Sequence, residues 1–532
     1  MPDDSPRWWR RSAARRLALA GLLALFLGRI ALTYPVFNDT FDENIHIRCG
    51  LEVLQRRAYT LEAQHPPLGR IVVAILPYYW GGLRLSGSNQ LWADGPWAQR
   101  EEAFYWKTLF LARAGNLIFA ALIFLVVYLW AARLSGPWAG LGAGVLLACC
   151  PTLLGHASLA TLDIGLAAGV LTASYFLWRW SEQPGWRYCL ASAAAFAGAI
   201  LLKFSALFFL APVAVVYFAV AKRRGPVRAV AVRGLAFALL TALLLWGGYG
   251  FQSGILLPPG HRYVSRYATP ENSLPNRLVR ALGPRHLPAP HFFEGLIEVL
   301  SHNEAGSRAY LLGRHADRGW WYYFPAAVAL KSALPLLLLA ALGIAVRPRH
   351  AVGPLLAISV ILGAALLSNL NIGVRHVLPV YPLLAILGGA SVTAGRRPAR
   401  VAALLLLGWQ AAESVRAHPD YLAYFNQIAR GREERFLLDS NLDWGQDLAR
   451  LGRHLRDRGI QEVYLRYFGT AQPAKMGIRS KPLPPHQPVQ GWIAISVNEL
   501  AGLYNDPGEF RWLRERRPQA RIGKSIWLYH VP

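Results

Sequence analysis

The chain has 532 residues, of which 54% are hydrophobic and 16% charged, and its mean hydropathy is +0.26. Soluble domains carry about 25% charged residues and less apolar material, so the composition favours a membrane protein. The formal net charge of +26 would also suit a nucleic-acid binder. Many Arg and Lys residues, however, form short clusters between apolar runs, as cytoplasmic loops do, so we expect no nucleic-acid partner.

The N-terminus begins with a basic stretch, 7–16, followed by the apolar run 17–32. A cleaved signal peptide would end in a small-residue cleavage site, whereas Tyr34 and Pro35 follow here. We therefore predict an uncleaved first span.

Apolar runs of about 20 residues continue along the chain and predict an α-helical polytopic membrane protein with about eleven transmembrane helices. A further apolar piece, 71–83, is too short to span and contains Pro77, which predicts an interfacial or re-entrant helix. The predicted spans are 17–34, 110–131, 138–157, 163–180, 187–202, 203–221, 229–249, 323–345, 351–369, 376–393 and 400–416.

The positive-inside rule predicts a cytoplasmic N-terminus, because alternation then places nearly every basic short loop on the cytoplasmic side. Three larger segments fall on the outer side: 35–109, 250–322 and 417–532. This divides the chain into a membrane module, 1–416, and an extracytoplasmic α/β domain, 417–532. The second domain is predicted from one amphipathic helix and three strand-like runs. These are 446–458, 463–468, 492–497 and 526–529.

The first outer segment contains a compact group of acid and base residues, Asp42, Glu43 and His46. On a helix, His46 could meet Asp42 at i+4 or Glu43 at i+3. Such a group suits acid–base chemistry, although Asp42 is equally an ordinary helix-capping residue.

Ionisable residues also stand at the predicted outer ends of several spans, where charge is costly and usually functional. They are Arg113, Asp163, Lys203, Arg375 and His376. Interfacial anchoring would explain Arg113, since a long basic side chain reaches the headgroups. It does not explain Asp163, whose side chain is short.

The tail segment 438–447 is rich in acids and amides, which suit contacts with a sugar or a peptide. Capping of the following helix explains Asp443 equally well.

This arrangement suits transfer of a sugar from a polyprenyl phosphate to an acceptor hydroxyl. A carboxylate would serve as general base, and cations would stabilise the departing phosphate. A transporter or flippase of a lipid-linked substrate is the alternative, but it would place polar residues near mid-membrane in paired repeats. A scaffold protein would not need the acid–base group.

Several motifs resemble those of protein O-mannosyltransferases, glycosyltransferase family 39, and of the related bacterial phospholipid carrier-dependent glycosyltransferases. The resemblance covers about the first 400 residues and one tail motif. It is carried by Phe41-Asp42-Glu43, His65-Pro66-Pro67-Leu68-Gly69, Arg113, 155–163 ending in Asp163, Lys203-Phe204-Ser205-Ala206-Leu207, 373–379 with Arg375 and His376, and 440–448.

The resemblance implies a GT-C fold, a polyprenyl-phosphate sugar donor, inverting transfer and a place in the bacterial inner membrane. It implies Asp42 as catalytic base and Glu43 as a residue that positions the acceptor or substrate. His65 and Asp163 would belong to the site.

By the same resemblance, Arg113, Lys203 and Arg375 would contact phosphate. The eukaryotic trefoil-like luminal domain has no counterpart here, and the lipid A aminoarabinose transferases carry Lys where this chain has His65. The acceptor therefore stays open between protein, lipid and glycan. Asp42, Glu43, His65 and Asp163 could act with or without a divalent cation.

Overall fold

The computed structural model of the chain describes residues 5–85, 101–224, 226–257 and 265–532. Residues 86–100 and 258–264, which belong to the two predicted outer loops, lie outside the described residues. The described chain is mainly helical, and helical structure lies at each of the predicted spans.

The first part of the chain contains eleven helices among the described residues. They are α1 Ser5–Ala31, α2 Glu43–Arg56, α3 Pro67–Tyr79, α4 Glu102–Gly115, α5 Leu117–Ser135, α6 Pro137–Ala148, α7 Pro151–Ala157, α8 Asp163–Glu182, α9 Trp186–Leu202, α10 Ser205–Arg224 and α11 Val227–Gly248. Helix α3 confirms the helix predicted from the apolar piece 71–83 and begins four residues earlier, where Pro67 suits the first turn.

The second part begins with two short antiparallel strand pairs and ends in a sheet. Its helices are α12 Leu274–Leu282, α13 Pro290–Ala305, α14 Tyr323–Lys331, α15 Leu334–Val346, α16 Pro348–Ala365, α17 Val380–Gly389, α18 Arg397–Arg416, α19 Leu448–Asp457, α20 Val497–Ala501 and α21 Arg511–Arg514. The strands are β1 Ser253–Ile255, β2 His286–Pro288, β3 Ala309–Leu311, β4 Arg314–Ala316, β5 Val463–Arg466, β6 Ser480–Pro482, β7 Gly491–Ser496, β8 Ala520–Ile522 and β9 Ile526–Val531. Strand β1 pairs with β2, and β3 with β4.

Two predicted spans are broken rather than continuous. Helices α6 and α7 meet at a bend of 65°, and α14 and α15 at a bend of 105°. Pro151 and Pro335 stand in the first turn after each break. Proline lacks the N–H of a helix interior but fits a helix start, so it ends one helix and begins the next. The predicted span 376–393 also differs, because it begins as the 3-10 helix Val374–Val377.

By length and composition, four helical segments of the described chain are suited to cross a membrane, or up to six if each bent pair counts as one. The four are Glu102–Ser135, Ser205–Arg223, Val227–Gly248 and Pro348–Ala365. The chain is thus a multi-pass membrane protein, and the count of eleven stays a prediction.

The helices around α8 pack closely because small residues face their neighbours. A Cβ added at Gly169 would lie 2.8 Å from the Cα of Ala199 in α9, so only glycine permits this approach. The buried core extends from here through α5, α10, α16 and α17. It fixes the position of Asp163, which begins α8.

The tail contains a five-stranded sheet with the order β6-β5-β7-β9-β8. Strand β5 runs parallel to β6 and β7, whereas β9 is antiparallel to β7 and β8. The three strands and the helix predicted from the sequence are present as β5, β7, β9 and α19. The domain boundary after residue 416 stays a prediction.

Described parts of the three segments predicted to lie outside contact one another. The side chain of Asn38 donates to the Gly445 carbonyl at 2.7 Å, and Arg266 donates to the Leu61 carbonyl at 2.9 Å. The Leu312 amide donates to the Phe436 carbonyl at 2.9 Å. These contacts agree with a shared face for the three segments.

Candidate functional site

Two carboxylates and two cations from four distant parts of the chain meet at one end of the helices. Arg375 Nη1 lies 2.8 Å from Asp42 Oδ2 and 3.9 Å from Asp163 Oδ2. Lys203 Nζ lies 2.7 Å from Asp163 Oδ1. Asp163 is therefore shared by both cations, while Asp42, at 23% side-chain exposure, is the more accessible carboxylate.

These charged groups border a polar cavity of about 240 Å³. Six predicted site residues line it: Asp42, His46, His65, Lys203, Arg375 and His376. The other lining residues are Ile45, Glu62, Gln64, Phe204, Ser205, Arg266, Tyr267, Val299, His302, Leu370 and Ile372. Asp163 does not line the cavity. Its two carboxylate oxygens contact the cavity cations Lys203 and Arg375.

The predicted pairing of His46 with the adjacent acids does not form. Helix α2 begins at Glu43, with Asp42 as its N-cap residue, and the three side chains diverge. Asp42 turns to Arg375, whereas the His46 ring lies against His65 with centroids 5.3 Å apart. The sequence spacing predicted a shared helical turn. Asp42 and His46 instead contact residues from other segments, Arg375 and His65.

Glu43 forms a buried ion pair with Arg113, away from the cavity lining. Arg113 Nε and Nη2 donate to the two Glu43 oxygens, each at 2.9 Å, and the Ala160 amide donates to Oε1 at 2.7 Å. The Thr40 amide and hydroxyl donate to Oε2. Glu43 thus fixes the turn that presents Asp42, and it does not line the cavity.

Arg113 is placed differently from the predicted phosphate contact. Besides Glu43, its guanidinium donates to the carbonyls of Phe37 and Asn38, each at 2.8 Å, and to that of Tyr34 at 3.3 Å. A guanidinium has five N–H donors, and these bonds engage its donors within the loop. Arg113 therefore holds the first outer loop to α4 and α5.

The cavity histidines are uncharged at neutral pH. Burial and the nearby Lys203 lower the pKa of His65 to about 3, and burial and His65 lower the pKa of His302 to about 4. Burial also lowers the pKa of His46. The positive charge of the cavity therefore comes from Lys203, Arg375 and Arg266.

One wall of the cavity was not predicted from the sequence. The Tyr267 ring stacks on His302 with centroids 4.0 Å apart, and both side chains hydrogen-bond Gln64, at 3.1 and 2.7 Å. Glu62 forms an ion pair with Arg70. Gln64 immediately precedes the His-Pro-Pro motif, which is the only sequence signal that pointed to it.

The tail motif 440–448 reaches this site by holding the turn that carries Arg375. Ser440 Oγ accepts a hydrogen bond from Arg375 Nε at 3.1 Å, and Asn441 Oδ1 accepts one from the Val374 amide at 2.9 Å. The Arg375 guanidinium lies 4.3 Å from the centre of the Trp444 ring. A Cβ at Gly373 would lie 2.1 Å from Ser440 Oγ, so the two segments are in close contact.

The acids and amides of this tail segment are buried, so they do not present a sugar-binding or peptide-binding surface. Asp443 accepts hydrogen bonds from the amides of Gly445, at 3.1 Å, and Asn498, at 3.3 Å. It does not cap α19, which begins at Leu448. Asp443 instead ties the motif to the sheet of the tail.

An apolar groove of about 530 Å³ adjoins the polar cavity and shares Ser205, Val299, Leu370 and His376 with it. Its other lining residues are Phe208, Phe209, Pro212, Leu300, Asn303, Phe324, Val360, Gly363, Ala364, Ala365, Leu367 and Ser368. The groove lies between α10, α13, α14 and α16. A ligand with a polar head and an apolar tail would fit across the two.

Among the described residues, no group of three or more His, Cys, Asp or Glu side chains is arranged to hold a metal ion. Whether a divalent cation takes part stays open, as it was from the sequence.

Comparison with known proteins supports the resemblance. A family model described as dolichyl-phosphate-mannose-protein mannosyltransferase matches residues 105–246. The crystal structure of ArnT from Cupriavidus metallidurans bound to undecaprenyl phosphate has a TM-score of 0.51 at 14% identity, covering 96% of this chain and 97% of that chain. No curated protein matches the chain in sequence.

Two further solved structures are similar at lower scores. The S. cerevisiae protein O-mannosyltransferase Pmt1–Pmt2 complex bound to the sugar donor has a TM-score of 0.36 at 17% identity, over 44% of this chain and 33% of that chain. The apo oligosaccharyltransferase of Archaeoglobus fulgidus has a TM-score of 0.42 at 14% identity, over 92% and 63%. The resemblance predicted from the motifs is confirmed, and the chain is a multi-pass membrane protein of the GT-C fold that is similar to the protein O-mannosyltransferases.

Proposed function

We propose that the protein transfers a sugar from a polyprenyl-phosphate donor to an acceptor hydroxyl, with inversion, on the outer face of the membrane. The observation that carries the proposal is the ion pair between Asp42 and Arg375 at the wall of a polar cavity that adjoins an apolar groove. One carboxylate and one phosphate-binding cation are thus held side by side.

Asp42 is the general base of this reaction. It takes the proton of the acceptor hydroxyl while the acceptor oxygen attacks the anomeric carbon from the side opposite the phosphate. The bond between the anomeric carbon and the phosphate oxygen breaks, and its electron pair leaves with the polyprenyl phosphate. Attack opposite the leaving group inverts the anomeric centre.

Lys203 and Arg375 bind the phosphate and stabilise the negative charge that it gains as the sugar departs. Both cations line the cavity, and both are oriented by the buried carboxylate of Asp163. Because an incoming phosphate competes with Asp42 for Arg375, donor binding weakens the ion pair and frees the Asp42 carboxylate to contact the acceptor hydroxyl.

The apolar groove binds the polyprenyl tail. Phe208, Phe209 and Phe324 line it, and burial of hydrocarbon against such walls is favourable in proportion to the buried area. His376, which belongs to both spaces, marks the point where the phosphate would meet the tail.

The substitution Asp42→Asn tests the base, because the amide keeps the size of the side chain and its hydrogen bond from Arg375. Transfer from a purified polyprenyl-phosphate sugar to an acceptor should fall by about 10²–10⁴-fold, the usual contribution of a general base. Wild-type turnover by the folded variant would remove Asp42 from this role.

Asp420→Asn is the matched control. Asp420 pairs with Arg450 at 2.5 Å and has 25% side-chain exposure, close to that of Asp42, but it lies outside the cavity. Its transfer rate should equal that of the wild type. Mass spectrometry of surface glycans and glycoproteins, with and without the protein, will distinguish protein, lipid and glycan acceptors.

A further inference from the structure

A second groove, of about 440 Å³, lies between the end of α1, helix α4 and the tail helix α19. Its lining is aromatic on one side and basic on the other, with a single acid, Glu102. The lining residues are Tyr34, Pro35, Glu102, Trp106, Phe110, Ala449, Arg453, Arg456 and Met476. None of them belongs to the polar cavity or to the apolar groove next to it.

The basic side is formed by Arg453 and Arg456, which are three residues apart and therefore share one face of α19. Arg453 donates to the Val36 carbonyl at 2.9 Å, and Arg456 donates to the Met476 carbonyl at 3.0 Å. Each hydrogen bond uses one terminal nitrogen of a planar guanidinium group. Contacts within the described chain thus engage one of the five N–H donors of each guanidinium, and the rest suit an anionic oxygen ligand.

The aromatic side continues into a stripe of exposed apolar residues along α4 and α5. The stripe begins at Phe110, which is 50% exposed and also lines the groove. The next member follows eight residues later, about two helical turns, and the remaining spacings of four, three and four residues keep the members near one helical face. The members after Phe110 are Ile118, Leu122, Leu125 and Leu129. Among the four continuous candidate spans of the described chain, these helices have the highest mean hydropathy, 2.4, so the stripe suits contact with lipid.

Trp106 connects the two sides. It lines the groove together with Phe110 and the two arginines, and its indole N–H donates to Glu102 at 3.3 Å. Tryptophan and tyrosine with their polar atoms turned to water are typical of the membrane interface, the depth at which lipid phosphates lie. Two arginines beside such a tryptophan suit a lipid headgroup, with the apolar stripe as a path for its acyl chains.

We propose that this groove binds the headgroup of an anionic phospholipid, with the phosphate on Arg453 and Arg456 and an acyl chain along the stripe from Phe110 to Leu129. Such a lipid would tie the tail helix α19 to the membrane surface. The proposal is independent of the transfer reaction, because it uses none of its residues.

The test is native mass spectrometry of the full-length protein in detergent, titrated with phosphatidylglycerol or with phosphatidylcholine. The wild-type protein should retain one phosphatidylglycerol more tightly than phosphatidylcholine. In the double variant Arg453→Gln/Arg456→Gln this affinity should fall roughly 10- to 30-fold, as expected for two basic residues at a membrane surface. Inorganic phosphate, added as a competitor, should displace the lipid only weakly, since it lacks the acyl chains.

Arg511→Gln/Arg514→Gln is the matched control. These arginines are also three apart and exposed, on α21, but lie away from the groove. Equal loss in both double variants, equal affinity for the two lipids, or no loss in the groove variant would each overturn the proposal. If the groove variant does not fold, Arg456→Lys takes its place, because it keeps the charge and removes the planar guanidinium group. An unchanged phosphatidylglycerol affinity in Arg456→Lys would also count against the site.

Discussion

Arg375 forms an ion pair with Asp42 across 333 residues of sequence, and the two atoms lie 2.8 Å apart. The same guanidinium also lies against Ser440 and over Trp444. A single arginine therefore connects the first outer loop, a turn between two membrane helices and the tail. In the proposed reaction, phosphate binding at this arginine would directly change the contacts of Asp42.

We predict that Arg375→Lys lowers transfer on the order of 100-fold, the effect of losing a fixed donor to a developing anion. Lysine keeps the charge but cannot reproduce the planar fork that reaches Asp42 and Ser440 together and stacks on Trp444. Steady-state kinetics with varied donor will measure the effect. Arg511→Lys, an exposed substitution on α21, is the control, and equal rates for both variants would contradict this role.

Ser440 is a positioning residue for Arg375, so Ser440→Ala should lower kcat/KM by roughly 10- to 100-fold, the usual cost of a small misplacement at a reacting centre. Ser440→Thr keeps the hydroxyl and should restore most of the activity. The same change at the exposed Ser480 in β6 should have no effect. If Ser440→Ala lowered thermal stability but left the kinetics of the folded fraction unchanged, the role would be structural only.

The sequence predicted much of the fold because apolar runs and strand alternation are local signals. The helices at the predicted spans, β5, β7, β9 and α19 are all found near their predicted positions. The breaks at Pro151 and Pro335 were missed, since a proline within an apolar run does not by itself distinguish a kink from two helices at an angle. The number of spans and the side of the membrane on which each loop lies depend on how the helices sit in a bilayer. The fold alone does not determine this.

Six of the nine predicted site residues line one cavity, and the pairings among the nine were not predicted. Asp42, His65, Lys203 and Arg375 do line one cavity, as the motifs implied. Spacing along α2 suggested that His46 pairs with Asp42 or Glu43, but helical neighbours compete with partners from distant segments. Arg113, which carries the same formal charge as Arg375, pairs with Glu43 instead, and only the three-dimensional structure distinguishes the two arginines.

Lys203 compensates the charge of Asp163, which is 1% exposed. Lys203→Met should destabilise the protein by about 3–5 kcal/mol, because it removes the nearer partner of a buried carboxylate and leaves only Arg375, 3.9 Å away. Adding Asp163→Asn should recover part of this loss. Thermal unfolding in detergent will measure both. Lys481→Met is the control. It removes the exposed ion pair with Glu462 and should leave the midpoint temperature of unfolding unchanged. A double variant less stable than Lys203→Met would refute the explanation.

Asp39 provides a prediction for pH dependence. Burial raises the pKa of Asp39 from its ordinary value of 3.8 to about 6, although its carboxylate accepts hydrogen bonds from Tyr105 at 2.5 Å and Thr470 at 3.1 Å. Between about pH 4 and pH 6, the Asp39 carboxyl is therefore protonated in the folded protein and ionised in the unfolded chain. Stability contributed by this group is fully present below about pH 4 and is lost as the pH rises to about 6, by at most about 3 kcal/mol.

Asp39→Asn imitates the protonated acid and can keep both hydrogen bonds. Above pH 6 the variant should be more stable than the wild type, and near pH 4 the two should unfold at the same temperature. Asp447, whose pKa burial also raises to about 6, keeps some pH dependence in the variant. Thermal unfolding between pH 4 and pH 7 measures this, with the exposed Asp457→Asn as control. If Asp39→Asn lowered stability at pH 7, the two hydrogen bonds to the carboxylate would outweigh the cost of burying its charge, and the raised pKa would be refuted.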